Sequence, residues 1–129
     1  MNLIEIKKHL LKAEAKLYAG KTNFQYSQYD DAVSRAYYSV YHAICSALLT
    51  KELSFSSHNQ TLGSFNKEFI NTGIFPKAFG KKIYKLFEIR EEGDYDIDSD
   101  INKTLAEESI ISAEEILNSI QAYITKIIS

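Results

Sequence analysis

The stretch Ser34-Arg35-Ala36-Tyr37-Tyr38-Ser39-Val40-Tyr41-His42 sets three tyrosines, an arginine and a histidine inside a segment with helical apolar spacing. At about 100° per residue, Arg35, Tyr38 and His42 fall on one side of that helix. Ala32, Ala36, Ser39, Ala43 and Ser46 form a stripe of small residues where another helix can approach closely. The helix is predicted over about residues 27–51, with Asp30 and Asp31 near its start, where carboxylates suit the helix dipole. At that length it is the central element, and the other helices must pack around it.

Helical periodicity runs through almost the whole chain and predicts five helices and no strands. The first is expected over residues 3–18, with Leu3, Ile6, Leu10, Ala13 and Leu17 on one face and Gly20 as its C-cap. Lys7, Lys8, Lys12 and Lys16 lie off that face. Ser54-Phe55-Ser56-Ser57 interrupts the pattern and offers an N-cap to a third helix. That helix carries Leu62, Phe65, Phe69 and Ile70 and stops at Asn71-Thr72-Gly73. Pro76 fits the first turn of a fourth, which continues through Phe79, Ile83, Leu86, Phe87 and Arg90. A last helix is expected over residues 102–128. The predicted fold is all-α, an antiparallel four- to five-helix up-and-down bundle, with one domain over residues 1–129.

Bulk properties narrow the function. A chain of 129 residues builds one core and is too short for two. Its net charge of -2 gives no whole-chain signal for nucleic acid or membrane, so binding must come from a local patch. Lys77, Lys81, Lys82 and Lys85, on the outer side of the fourth helix, are the one such patch expected, either a solvated face or a phosphate-binding surface. Cys45 stands alone and cannot close an intrachain disulfide, which fits a reducing interior. Residues 1–8 are charged too early for a secretory signal, and no apolar run approaches membrane-spanning length. A cytoplasmic protein without membrane association is expected.

Several constellations fall away on inspection. Asp96, Asp98, Asp100 and Glu107 occupy the first, third, fifth and twelfth positions of an EF-hand loop. Ile101, however, stands where the sharp turn calls for glycine, and Lys103 where an apolar residue belongs, so calcium is not expected. Among His9, His42 and His58 no pair has the i, i+4 spacing of a helical zinc site. Gly-rich phosphate loops and nucleophile elbows are absent, and no cofactor is expected.

Two groups remain, Arg35 with His42 and Arg90 with Asp94 and Tyr95. One reading is structural. Arg35 follows Asp31 by one helical turn and Arg90 precedes Asp94 by one, the spacing of helical ion pairs. Buried arginines held by carboxylates and tyrosine hydroxyls can also knit helices together. The other reading is RNA phosphodiester cleavage by the 2′-hydroxyl, which needs a base, an acid and positive charge at the phosphorane. Histidine titrates near neutrality and arginine binds phosphate bidentately, so Arg35 and His42 supply the right groups. One histidine cannot be base and acid together, so a two-fold dimer that joins both copies in one cleft would help. The two backbones are about 10 Å apart along the axis, which suits one extended ligand better than one atom.

The segments Asp31-Ala32-Val33-Ser34-Arg35-Ala36-Tyr37-Tyr38-Ser39-Val40-Tyr41-His42, Ser57-His58 and Arg90-Glu91-Glu92-Gly93-Asp94-Tyr95-Asp96 resemble the HEPN domain family, in its small stand-alone prokaryotic branch. The resemblance spans nearly the whole chain. It implies a helical bundle that dimerises. It also implies a toxin or metal-independent endoribonuclease role, often beside a minimal nucleotidyltransferase acting as antitoxin. The family's ribonuclease signature is an arginine, four to six residues, then a histidine, and Arg35 with His42 meets it. The later helix, where ribonuclease members usually carry the motif, offers Arg90 followed by Asp94 and Tyr95 without a histidine. By the same analogy Tyr95 is a candidate for nucleotidylation.

The expected site is therefore a cleft of Arg35, Tyr38, His42, Arg90, Asp94 and Tyr95 that binds a nucleotide or RNA. Its arginines would take phosphate and Tyr38 would stack or hydrogen-bond. Asp94 would orient an arginine, and His42 would move the proton in any cleavage. Lys81 and Lys82 are expected to add salt-dependent RNA affinity. Partners expected are a second copy and a nucleotidyltransferase. The competing class is a non-catalytic protein-interaction module in which the Arg/Tyr/His network is structural core.

Overall fold

The computed structural model describes the whole chain apart from residues 96, 98 and 99 and the side chain of Tyr95. Five α-helices follow in order: α1 (Leu3–Gln25), α2 (Tyr29–Leu49), α3 (His58–Phe65), α4 (Lys77–Tyr95) and α5 (Lys103–Ile128). With no strand among the described residues, the architecture is the expected all-α bundle. α2 is its axis and packs against α1, α3, α4 and α5. No helix is long and apolar enough to cross a membrane among the described residues.

The small-residue stripe of α2 explains how α1 comes so close. Ala36, Ser39, Ala43 and Ser46 are buried. Ser39 donates its hydroxyl to the Ala13 carbonyl of α1 at 2.7 Å, which satisfies a polar group that would otherwise be costly to bury. Farther along, Phe65 stacks on both Phe69 and Phe75, Phe75 stacks on Phe79, and Tyr123 of α5 meets Phe69 and Phe75 edge-on. Aromatic burial of this kind closes the end of the bundle that α3 covers.

Two boundaries differ from expectation for physical reasons. α1 does not end at Gly20 but continues to Gln25. A Cβ at Gly20 would lie 3.0 Å from Ile110 Cδ1, 3.2 Å from Arg35 Cβ and 3.3 Å from the Ala32 carbonyl oxygen. Gly20 thus marks where α1, α2 and α5 converge, and the chain turns only at Ser27, whose φ is 61°. The third helix is not uniform either. α3 passes into a π-helical turn, Asn66–Ile70, before Gly73 stops it with a φ of 83°.

The expected cap of α3 forms, with Ser57 Oγ accepting from the Gln60 amide at 3.0 Å, and α5 has one that the sequence reading did not name, Asn102 Oδ1 accepting from the Leu105 amide at 2.9 Å. The basic patch of α4, by contrast, is divided. Lys82 pairs with Glu115 at 2.8 Å and Lys85 with Glu108 at 3.5 Å, both glutamates on α5, which leaves Lys77 and Lys81 exposed. Of the EF-hand-like positions, Asp96 and Asp98 lie outside the described residues, and Glu107 sits exposed on α5.

Candidate functional site

The expected cleft separates into two clusters on α2. In the first, Arg90 of α4 is only 6% exposed and its guanidinium is almost wholly used within the chain. Nη1 donates to the Tyr38 hydroxyl at 3.2 Å and to Asp94 Oδ2 at 3.3 Å, and Nη2 to Glu91 Oε1 at 3.4 Å. The guanidinium carbon lies 4.8 Å from the Tyr37 ring centroid and 5.7 Å from that of Phe87. Burial opposes the charge, but Tyr38, Tyr37, Asp94 and Glu91 outweigh it and keep Arg90 firmly protonated. Nε alone is buried without a partner.

His58, at the start of α3, extends this cluster. Its Nδ1 is 2.8 Å from the Tyr37 hydroxyl, and its ring stacks on Tyr41 with centroids 4.2 Å apart. Burial, then the nearby Arg90, lowers the pKa of His58, whereas burial raises that of Tyr37. Near neutral pH the phenol therefore donates and the imidazole accepts. This arrangement locks α2, α3 and α4 together and leaves little unused hydrogen-bonding capacity for a ligand.

The second cluster lies along the seam between α1 and α2. His9 Nδ1 and His42 Nδ1 are 3.0 Å apart, so one ring must donate and the other accept. Burial, then His9, Lys12 and Lys16, pushes the pKa of His42 down to about 4. Burial also lowers that of His9 against an opposing pull from Glu5. Lys16 is lowered too, by burial and then by Arg35 and Lys12. Among the described residues, Lys8, Lys12, Lys16 and Arg35 form no ion pair. An open depression of about 170 Å³ is lined by Glu5, Lys8, His9, Lys12 and His42.

Among the residues singled out from sequence, Tyr38, Arg90 and Asp94 do meet. Arg35 and His42 lie on the seam, and the Asp31–Arg35 ion pair does not form; both residues are exposed, and neither has an ion pair among the described residues. The backbone of Tyr95 ends α4, and its side chain lies outside the described residues. Lys81 borders a groove between α3 and α4, away from both clusters, and Lys82 is held by Glu115. Sequence spacing gave no reason to join His9 to His42 or His58 to Tyr37, because both pairs form between helices. From sequence the α1 lysines were placed only off the apolar face; the structure sets Lys8 and Lys12 around His42 and Lys16 near Arg35.

Comparison with known proteins adds the lineage. The HEPN domain model matches residues 6–123. Over 120 residues, 93% of this chain and 82% of the relative, the chain is 34% identical to the Methanocaldococcus jannaschii protein named "Putative toxin MJ0142". A second protein of that organism, "Putative toxin MJ0605", is 34% identical over 116 residues, 90% of this chain and 86% of the relative. A UPF0332 protein of Thermotoga maritima is 38% identical over 93 residues, 72% of this chain and 70% of the relative.

Proposed function

The chain belongs to the HEPN domain family, and from that premise we propose that it is a toxin-like member that binds RNA or nucleotide phosphates along the α1–α2 seam. One observation carries the reading. Lys8 and Lys12 line one depression with His9 and His42, and Lys16 continues the positive face to Arg35, all four without an ion-pair partner among the described residues. Unpaired cations can exchange water and counterions for phosphate at little internal cost.

Arg35 and the lysines take phosphate in this reading. His42, neutral near pH 7, can accept the proton of a 2′-hydroxyl as it attacks phosphorus, closing a 2′,3′-cyclic phosphate while the P–O5′ bond breaks and the 5′-oxygen takes a proton from water, with no metal needed for that step. A two-fold homodimer would double the seam, and a nucleotidyltransferase remains the expected antitoxin, with Tyr95 a target for modification. The protein would act in the cytoplasm as one domain over residues 1–129. Lys81 is a secondary contact for a long RNA.

A second reading, the non-catalytic interaction module, is favoured by the Arg90 cluster, whose contacts are satisfied from within. Two measurements on purified protein in EDTA separate the two: salt-dependent binding of single-stranded RNA, and RNA cleavage. If the seam binds RNA, the joint Lys12→Ala, Lys16→Ala, Arg35→Ala variant loses about tenfold or more in affinity while keeping its circular dichroism. If His42 moves the proton, His42→Ala abolishes cleavage but not binding. Full affinity in the triple variant would overturn the seam reading. Binding without cleavage by the folded parent would place the protein in the non-catalytic class.

A further inference from the structure

We propose that His9 and His42 form a cross-helix, two-imidazole clamp for a borderline divalent transition ion of the Zn²⁺, Ni²⁺ and Cu²⁺ group. The inference goes beyond phosphate binding and rests on how these two rings are held. Their Nδ1 atoms are 3.0 Å apart and their ring centroids 5.3 Å. Two nitrogens on a tetrahedral zinc, each about 2.0–2.1 Å from the metal, are about 3.3 Å apart. To take a metal ion the two nitrogens would separate by about 0.3 Å and turn their lone pairs toward one point, while the ring that donates its Nδ1 proton loses it to solvent and takes one up on Nε2.

The helices carrying them are fastened nearby. Ser39, three residues before His42, is bonded to the carbonyl of Ala13, four residues after His9. The pair is thus presented by two packed helices rather than by loops, which lowers the cost of organising it around an ion. The depression of about 170 Å³ beside them gives an ion access.

Charge around the pair sets the kind of ion. Glu5, one turn before His9, lines the depression and favours a cation. Lys8 and Lys12 on its wall, with Lys16 and His58 within electrostatic reach, oppose one. Hard ions such as Mg²⁺, held by charge and oxygen ligands, are disfavoured there, whereas ions that bond imidazole strongly can still bind. No third His, Cys, Asp or Glu completes a ligand set among the described residues, so the open positions go to water or an external donor. Surrounding lysines favour an anionic donor at those positions.

The test uses the untagged full chain, stripped with EDTA and dialysed, then titrated calorimetrically with ZnCl₂, NiCl₂ and CuCl₂ at about pH 7.5. One ion per chain is expected, with no saturable heat from MgCl₂. His9→Asn and His42→Asn should each weaken binding by about tenfold or more. Imidazole nitrogen NMR shifts should move for His9 and His42 on addition of zinc, and His58 should stay in place. If His42→Asn unfolds, His9→Asn on the outer helix and the NMR shifts decide alone. Absence of saturable binding, or equal binding by His9→Asn, would overturn the proposal and leave the pair a hydrogen bond only. The joint Lys12→Ala, Lys16→Ala, Arg35→Ala variant should still take up the ion, so phosphate binding and the clamp are tested separately, whereas an ion on His42 would occupy the ring that the cleavage reading uses as a base.

Discussion

Arg90 packs from α4 against tyrosines of the central helix, Arg35 rides on that helix itself, and the two differ in what surrounds them. Arg90 is buried, with Asp94, Glu91 and Tyr38 on its terminal nitrogens and the Tyr37 ring against its face. Arg35 is exposed and, among the described residues, has no hydrogen bond or ion pair from its side chain. The contrast follows from desolvation. A guanidinium taken out of water must be paired by the chain itself, and once paired it has little left for a ligand. A guanidinium left in water keeps its fork free for an outside phosphate. Burial therefore makes Arg90 part of the fold and leaves Arg35 open to solvent.

The largest effect should come from breaking the first side of that comparison. Arg90→Ala removes the charge that Asp94 and Glu91 face and the cation that lies against Tyr37, so it should cost about 3 kcal/mol, the low end for a broken buried pair. The low end applies because both carboxylates are partly exposed and can recover water. Urea denaturation measures it directly. A loss below about 1 kcal/mol would mean that the cluster does not fasten α4 to α2 and that Arg90 is free for another role.

Next in size is the pH response of the seam. The folded pKa of His42 is about 4, below the ordinary histidine value, and those of His9 and His58 are lowered too. At acidic pH the unfolded chain therefore binds more protons than the folded one. Stability should be complete above about pH 6.5 and should fall as the pH drops from there toward about 4. His42→Asn should flatten that decline, because its uncharged amide has no proton to gain. The comparison is the urea midpoint at several pH values, parent against variant, with the carboxylates common to both. An unchanged slope in the variant would show that His42 does not titrate as its burial requires.

These two clusters also divide what could be read from sequence. The helices, their number and the central role of α2 were legible because apolar periodicity is local information. The Arg90–Asp94 pair was legible for the same reason, as its two members are one turn apart on α4. Gly20 misled because glycine both ends helices and admits close crossings, and only the position of Ile110 and Ala32 distinguishes the two uses. His9–His42 and Tyr37–His58 were illegible, since each forms between helices whose relative rotation no spacing specifies. The α4 lysines looked like the basic surface only while the α5 glutamates were out of view.

A smaller effect tests whether His58 belongs with the buried side. Tyr37→Phe removes the 2.8 Å hydrogen bond to His58 but keeps the ring beneath Arg90. It should cost about 1 kcal/mol in urea denaturation, the usual net worth of one such bond plus an imidazole nitrogen left without its donor. His58→Ala should cost at least as much, because it also removes the stacking on Tyr41. A Tyr37→Phe variant as stable as the parent would mean that water replaces the phenol, and that His58 is more accessible than its contacts imply.

The smallest expected change in stability is the one that sharpens the comparison most. Arg35→Ala should alter folding by less than about 0.5 kcal/mol, because an exposed side chain without partners has little to lose. Its effect should appear instead in the salt dependence of single-stranded RNA binding, where each lost phosphate contact lowers the log–log slope by about 0.7. Arg90→Lys, a milder change to the buried arginine, should do the reverse, lowering stability while leaving that slope alone. If Arg35→Ala destabilised the fold and spared the salt slope, exposure would have failed as the criterion separating the two arginines. The phosphate surface would then have to be sought at Lys77 and Lys81, the α4 lysines that the α5 glutamates leave unpaired among the described residues.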